Sequence, residues 1–500
     1  MVIKRIKAGH YFWLSGAILA IMLFAGNVLA SDFSTYGSYT AVVDVPEAGG
    51  DGYYSWFTTV EYFPQSTTAM IGNFAASGRL IAATGRSIYL QRNYGSSQWD
   101  VVATIARSNP SDQGGMDPSF IRISPDGDRI ALGIGYGAPL LVFPTTLLSA
   151  SSPPVLLTDS TPAAGVDSHD VNYYDAAWAD NRYLVINGGA WPGPDYASAV
   201  GVVDTNNSTD TGVALVYNIP GASASVTVDA AGNLYTGVGH QISPNRTGEI
   251  KVWTASEWSK TPSAPLDYEA NTRIVANNAL SAAYLGTDSE GNLFVGGGDA
   301  FGVGGPSENG YAALISQAVI ARVTDASEPG SPVDENDSGE YREFAPDPCA
   351  DDSATGVLFG NWGKGLAVMW NPTYYEDYGS CYGAVGSALD YWLQGVRPRL
   401  TVYYTEDADD QDGDGVPDGA DNAYLTANAS QLDTDGDGYG NAADADFNND
   451  RTVNTADLSA FRQAMGTTGV SQYDMTGDGT VNTADLSKFR QRYGKSAPYY

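Results

Sequence analysis

Residues 446–457 read DFNNDRTVNTAD and residues 474–485 read DMTGDGTVNTAD. The second stretch follows the first by 28 residues, and the two run on into LSAFRQAMG and LSKFRQRYG. A twelve-residue loop and the segment behind it are therefore present twice. Calcium takes six to eight oxygens, and such a loop supplies them from positions 1, 3, 5, 7, 9 and 12. In the first copy these are Asp446, Asn448, Asp450, the Thr452 carbonyl, Asn454 (directly or through water) and Asp457. In the second they are Asp474, Thr476, Asp478, the Thr480 carbonyl, Asn482 and Asp485. Val453 and Val481 stand at position 8, where an apolar side chain anchors a loop to a core. Behind each loop, Leu458, Phe461 and Met465, and likewise Leu486, Phe489 and Tyr493, recur at helical spacing. Each copy thus carries one apolar helical face, and the two helices can pack on each other.

Over roughly residues 444–496 this pattern resembles the dockerin family, type I-like in its loops. Dockerins are small, EF-hand-like, calcium-dependent modules that plug into cohesin partners. The resemblance implies partner-reading residues at loop positions 10 and 11 and on the following helix. Here those are Thr455, Ala456 and Arg462, and in the second copy Thr483, Ala484 and Arg490. Both copies carry the same Thr-Ala pair, so the partner face is expected to look alike from either side. Two departures stand out: Arg451 replaces the glycine expected at position 6, and Thr476 puts a neutral oxygen at position 3. With three carboxylates per loop, the expected calcium affinity is on the order of 10⁻⁵ to 10⁻³ M. The alternative is a calcium-stiffened tail with no cohesin partner.

Ahead of this module the chain turns aspartate-rich. DQDGDGVPDGADN places Asp410, Asp412, Asp414, Asp418 and Asp421 at calcium-loop intervals, and DTDGDGYGNAADAD does so with Asp433, Asp435, Asp437, Asn441 and Asp444. Glycines between alternate aspartates let the backbone fold tightly while the carboxylates converge. Across about residues 408–446 these segments look like thrombospondin type 3 repeats, without the cysteines common in that family. The alternative is an acidic disordered linker.

The long middle shows short β-branched and aromatic runs broken by Gly, Asp, Asn and Pro, which marks many strands and tight turns. A strand–turn–strand unit recurs around Gly78, Gly127, Asn181, Gly232 and Gly291, with a weaker copy at Gly363. A period of about 50 residues in an all-strand region indicates a β-propeller. Six blades are expected, or seven, and YTAVVDV near the start is expected to pair with RLTVYYT near residue 400 to close the ring. A pair of β-sandwiches is the rival fold.

The 500-residue chain has a formal charge of −33, which disfavours nucleic acid and anionic lipid as partners and suits divalent cations. Residues 1–30 read as a secretory signal peptide: Lys4, Arg5 and Lys7, an apolar run, then Val28-Leu29-Ala30. No other apolar run is long enough to span a membrane. Cys349 and Cys381, the only cysteines, are a candidate disulfide in an exported chain, with two buried thiols as the alternative.

Catalytic signatures are absent. Gly133-x-Gly135-x-Gly137 reads as strand and turn glycine, not as a dinucleotide loop. The polar cluster Asp167, His169, Asp170 and Asp175 is a candidate metal or acid–base site on upper loops, and Glu308, Glu376 and Asp377 are candidate carboxylates for glycoside chemistry.

The expected organisation is a signal peptide (1–30), a β-propeller (31–405), a calcium-binding spacer (406–445) and a dockerin-like module (446–500). The expected role is display outside a bacterial cell, or in its periplasm. The propeller would recognise a carbohydrate or protein, and the calcium-loaded tail would grip a cohesin-like partner. An extracellular polysaccharide-degrading enzyme and a structural surface protein are the alternatives.

Overall fold

The computed structural model describes residues 39–44, most of 58–344, 353–359, 365–371, 399–404, 410–416, 421–435, 439–450 and 452–495; the longest intervals left out of 58–344 are 106–117, 158–171 and 298–310. The expected signal peptide, both cysteines, Asp167, His169, Asp170, Glu308, Glu376, Asp377, Asp418, Asp437 and Arg451 lie outside the described residues. Among the described residues no helix is long and apolar enough to cross a membrane.

The chain is mainly β, in a propeller-like arrangement. The first full blade holds Thr58–Tyr62, Leu80–Thr84, Ser87–Gln91 and Trp99–Ile105, with Val155–Leu157 added in parallel at its outer edge. Pro118–Ile123, Arg129–Ile134 and Leu141–Pro144 make a three-stranded sheet. Asn172–Trp178, Tyr183–Gly189, Ala197–Asp204 and Val213–Pro220 follow, edged by Leu266–Asp267. The next two blades are Ala224–Val228, Leu234–Val238, Gly248–Trp253 and Ile274–Asn278, then Tyr284–Thr287, Leu293–Gly297, Tyr311–Ile315 and Tyr341–Phe344. The last contains Ser353–Phe359, Gly365–Asn371 and Arg399–Tyr404, completed by Tyr39–Asp44 from the start of the chain. Tyr39 pairs with Tyr404 and Asp44 with Arg399, so the ring closes between the strands foreseen from sequence. The inner strand of each sheet packs on that of the next, and the last on the first.

The expected six or seven blades are not matched: among the described residues five sheets have the four or more strands of a blade, and the second in chain order has three. The reason is a change of partner. Val155–Leu157 comes next after Leu141–Pro144, yet it pairs with Trp99–Ile105 in the preceding blade and does not complete its own.

The recurring turns are built alike. Gly127, Gly232 and Gly291 have φ of 77°, 84° and 89°, a backbone that only glycine adopts readily. In the later two turns an aspartate clasps the asparagine behind the glycine. Asp229 receives the Asn233 backbone and side-chain N–H groups at 2.8 Å each, and Asp288 does the same for Asn292 at 2.8 and 2.7 Å. Gly232→Ala should lower the unfolding free energy by about 1–2 kcal/mol through left-handed strain alone, measurable as a lower urea midpoint with unchanged slope. Gly133 is indeed a strand glycine: a β-carbon there would lie 2.2 Å from the Phe120 ring, which covers it from the neighbouring strand.

Three α-helices accompany the strands among the described residues: α1 (Gln317–Val323), α2 (Thr455–Ala464) and α3 (Thr483–Arg492). The last two follow the duplicated loops. Phe461 and Phe489 stack with ring centroids 5.8 Å apart, and Phe447 stacks on both at 6.1 and 5.8 Å. Val453 and Val481 are buried in the same core. Met465 and Tyr493, expected on the apolar faces, are instead exposed cap residues. Each helix stops just short of them, and Gly466 and Gly494 (φ 83° and 81°) turn the chain away.

Candidate calcium and docking site

Each duplicated loop is wound by its own aspartates. In the first, Asp446 Oδ1 receives the Asp450 N–H at 3.1 Å, and Asp450 Oδ1 receives that of Thr452 at 3.0 Å. In the second, Asp474 Oδ1 receives the N–H groups of Gly477 and Asp478, and its Oδ2 that of Gly479 at 2.7 Å. Position 4 must be left-handed for this winding: Asn449 has φ 57° where the second loop has Gly477 at 72°. Asparagine is among the few side chains that tolerate that region.

Position 12 does two jobs. Asp457 Oδ1 accepts the Asn448 N–H at 3.3 Å, closing the loop, while Oδ2 accepts the Asn454 N–H at 2.8 Å, completing a capping box on α2. Asp485 repeats this with Thr476 at 2.8 Å and Asn482 at 2.7 Å on α3, and it also receives the Thr476 hydroxyl at 2.8 Å. Both carboxylates are 0% exposed. Loop closure and helix initiation therefore share one side chain.

Asn454 and Asn482 are not poised as direct ligands. Their oxygens cap the helices, each accepting the second helical N–H at 2.7 Å, and their amides donate to the Thr452 and Thr480 carbonyls at 3.0 Å. A bridging water suits position 9 better than direct contact. The remaining donor set is all oxygen, with carboxylates at positions 1, 5 and 12 around one loop, and this is the chemistry a hard divalent cation selects. Calcium held there would neutralise like charges that folding brings together.

The two halves brace each other. Val453 N–H bonds to the Lys495 carbonyl at 3.0 Å and Gly494 N–H returns to Val453 at 2.9 Å, while Gly466 N–H bonds to Val481 at 2.8 Å and Val481 N–H to Thr467 at 3.0 Å. Each loop is thus tied to the exit of the opposite helix. The residues assigned to partner reading (Thr455, Ala456, Arg462, Thr483, Ala484 and Arg490) are all exposed.

Further back, Asp410, Asp412 and Asp414 bring carboxylate oxygens within 4.8 Å of one another. Asp410 receives the N–H groups of Gly413 and Gly415 at 2.8 and 2.9 Å, and Gly413 and Gly415 have φ of 74° and 92°. Burial, with Gln431 and Ala423 opposing and Asp414 and Asp412 adding, pushes the Asp421 carboxyl up to about 7. Burial and Asp414 also raise Asp412. Of the second aspartate group, Asp433 is half-buried and Asp435 exposed, while Asp444 is buried. Asn441 is buried, and its oxygen accepts the Thr434 N–H at 2.9 Å.

In the propeller the structure assigns Asp175 a place that sequence reading missed. It lies on the inner strand Asn172–Trp178, fully buried, and receives Arg122 Nη2 at 2.6 Å. Arg122, from the neighbouring inner strand, also donates to the Ala176 and Leu285 carbonyls at 2.6 and 2.9 Å, meets Glu61 at 3.3 Å and lies 4.0 Å from the Tyr284 ring centroid. Burial pushes the Asp175 carboxyl up to about 6, against the pull of Arg122 and the Val226 and Ala176 amides, and burial raises Glu61 too. Burial also works against the Arg122 charge, but Tyr284, Asp175 and Glu61 outweigh it and tighten its hold on the proton. Asp175 is therefore a buried strand residue paired with Arg122 and not a residue of an upper loop. A charged residue at an inward strand position, as in Phe-Ile-Arg-Ile, was the available signal.

Residues 445–492 match the family model of the dockerin type I domain. Among solved structures, the chain resembles a type II cohesin–dockerin domain from Bacteroides cellolosolvens at 29% identity, covering 11% of this chain and 90% of that one, with a TM-score of 0.10. It also resembles a calcium-binding protein, regucalcin, from Agrobacterium tumefaciens at 12% identity, covering 71% and 91%, with a TM-score of 0.40. A search of the curated proteins finds no match. The tail is thus a dockerin type I domain, carried behind a propeller-like body.

Proposed function

We propose that this protein is an exported carrier whose tail, once loaded with calcium, docks to a cohesin-like partner while its propeller recognises a carbohydrate or protein ligand. The observation that carries the reading is the pair of oxygen-lined loops, each closed by a buried aspartate that also caps a helix, with the Thr-Ala pairs left exposed beside them. Thr455, Ala456 and Arg462, or Thr483, Ala484 and Arg490, form the docking face. Asp446, Asn448, Asp450, the Thr452 carbonyl and Asp457, and their counterparts from Asp474 to Asp485, hold calcium. The aspartate turn from Asp410 to Asp414 takes a further ion, which stiffens the junction with the propeller in the manner of a thrombospondin type 3 repeat. The charge of −33 keeps such a chain soluble outside the cell and away from nucleic acid.

The test is capture of the full-length protein on a panel of immobilised cohesin domains. Binding in millimolar calcium that vanishes with chelator is the expected result; no capture by any cohesin in calcium would refute the docking assignment. A glycan array probed with the same protein examines the propeller, and released sugar from a polysaccharide would replace recognition with catalysis.

A further inference from the structure

We infer that residues 421–435 and 439–445 are an integral part of the docking module and not a tether that leads to it. The family match begins at residue 445, so this segment lies almost wholly outside it. Yet the apolar core is shared: Tyr439 is buried in one cluster with Ala445, Phe447, Phe461 and Phe489. A tether leaves its side chains in water, whereas Tyr439 is withdrawn from it.

Polar ties run beside the core. Asn441, 3% exposed, donates to the Thr434 hydroxyl at 2.7 Å and to the Ser471 carbonyl, in the link between the two loop–helix copies, at 3.2 Å. Arg492, buried at the end of α3, donates to the Thr426 hydroxyl at 3.3 Å. Asn449 of the first loop reaches Asp435 at 3.4 Å. These contacts engage the linker, the last helix and the first loop, so the segment spans the module.

The segment also has an internal order that a flexible spacer lacks. Asn422 Oδ1 accepts the Asn428 amide at 2.7 Å, and Gln431 Oε1 accepts the Asn422 N–H at 2.8 Å. Gly440 is packed so closely that a β-carbon there would lie 2.3 Å from Asn422 Oδ1. Side-chain amides replace the missing strand ladder, as a short polar segment requires if its backbone groups are to be satisfied. Throughout, Thr455, Ala456, Thr483 and Ala484 stay exposed, so the segment buttresses the module without covering the docking face.

The inference takes from the proposed function only that the helical pair is a docking module; its support is packing and hydrogen bonding. It is tested by hydrogen exchange on the full-length protein in calcium. Tyr439→Ala should speed exchange of the α2 and α3 amides at least about tenfold, and Asn441→Ala by a smaller factor, with the propeller strands unchanged. Should Tyr439→Ala unfold the tail outright, Asn441→Ala alone decides. Wild-type protection of α2 and α3 in Asn441→Ala, with faster exchange confined to 421–445, would overturn the inference. A chelator arm keeps the two readings apart: if chelator leaves wild-type exchange unaltered, the calcium assignment fails, while the two substitutions still judge the buttress.

Discussion

Replacing both Asp457 and Asp485 by alanine should abolish the calcium-dependent protection of α2 and α3 and leave the helices weaker even in chelator. Each aspartate is a candidate ligand and the far half of a capping box, so two losses coincide. Losing a cap interaction costs about 1 kcal/mol per helix. Losing the ion removes the linkage contribution, about 2.7 kcal/mol for each site at a calcium concentration 100 times its dissociation constant. Asp450→Ala with Asp478→Ala separates the two effects. Those carboxylates sit at position 5 and hold loop N–H groups but cap no helix, so the apo tail should lose less stability than with the first pair while the calcium response disappears. Hydrogen exchange with and without calcium reads both pairs. A full calcium response in either double variant would mean that the ion is held elsewhere.

The second large effect is expected in the propeller. Arg122→Met should destabilise it by about 3–5 kcal/mol, because Asp175 stays buried beside Glu61 with its charge partner gone. A urea titration followed by far-UV signal measures it, and a loss below about 1 kcal/mol would show that the clasp is dispensable. The pH dependence has a definite sign. The folded Asp175 carboxyl, at about 6, binds its proton more readily than the unfolded group at 3.8. Its contribution is therefore fully present below about pH 4 and is lost as pH rises to about 6, an effect on the order of 3 kcal/mol. Subtracting the stability profile of Asp175→Asn from that of the natural protein should isolate this fall. A difference that rises over the same interval would reverse the assignment.

How far the chain could be read beforehand depended on how local the information was. The duplicated loops were legible because each is complete within twelve residues, and Asp457 and Asp485 close them from position 12. The turn glycines were legible for the same reason: Gly127, Gly232 and Gly291 answer a backbone demand met inside one hairpin. Blade number was not, since Val155–Leu157 reads equally well as the fourth strand of its own sheet or an outer strand of the one before. Nor was the Arg122 clasp, whose partners Asp175 and Glu61 are 53 and 61 residues away in sequence and meet only when the ring is assembled. Tyr439 was hidden by its setting, an aromatic residue inside an aspartate-rich stretch whose composition alone suggested a solvated linker.

The pairing of Tyr39–Asp44 with Arg399–Tyr404 has a consequence for how the molecule is made. A ribosome that has delivered every blade but the last few strands still holds an open arc, with its first strand waiting for a companion some 360 positions downstream. Assembly of the circle is therefore deferred until nearly the whole body has emerged, and the docking tail is the next thing to appear.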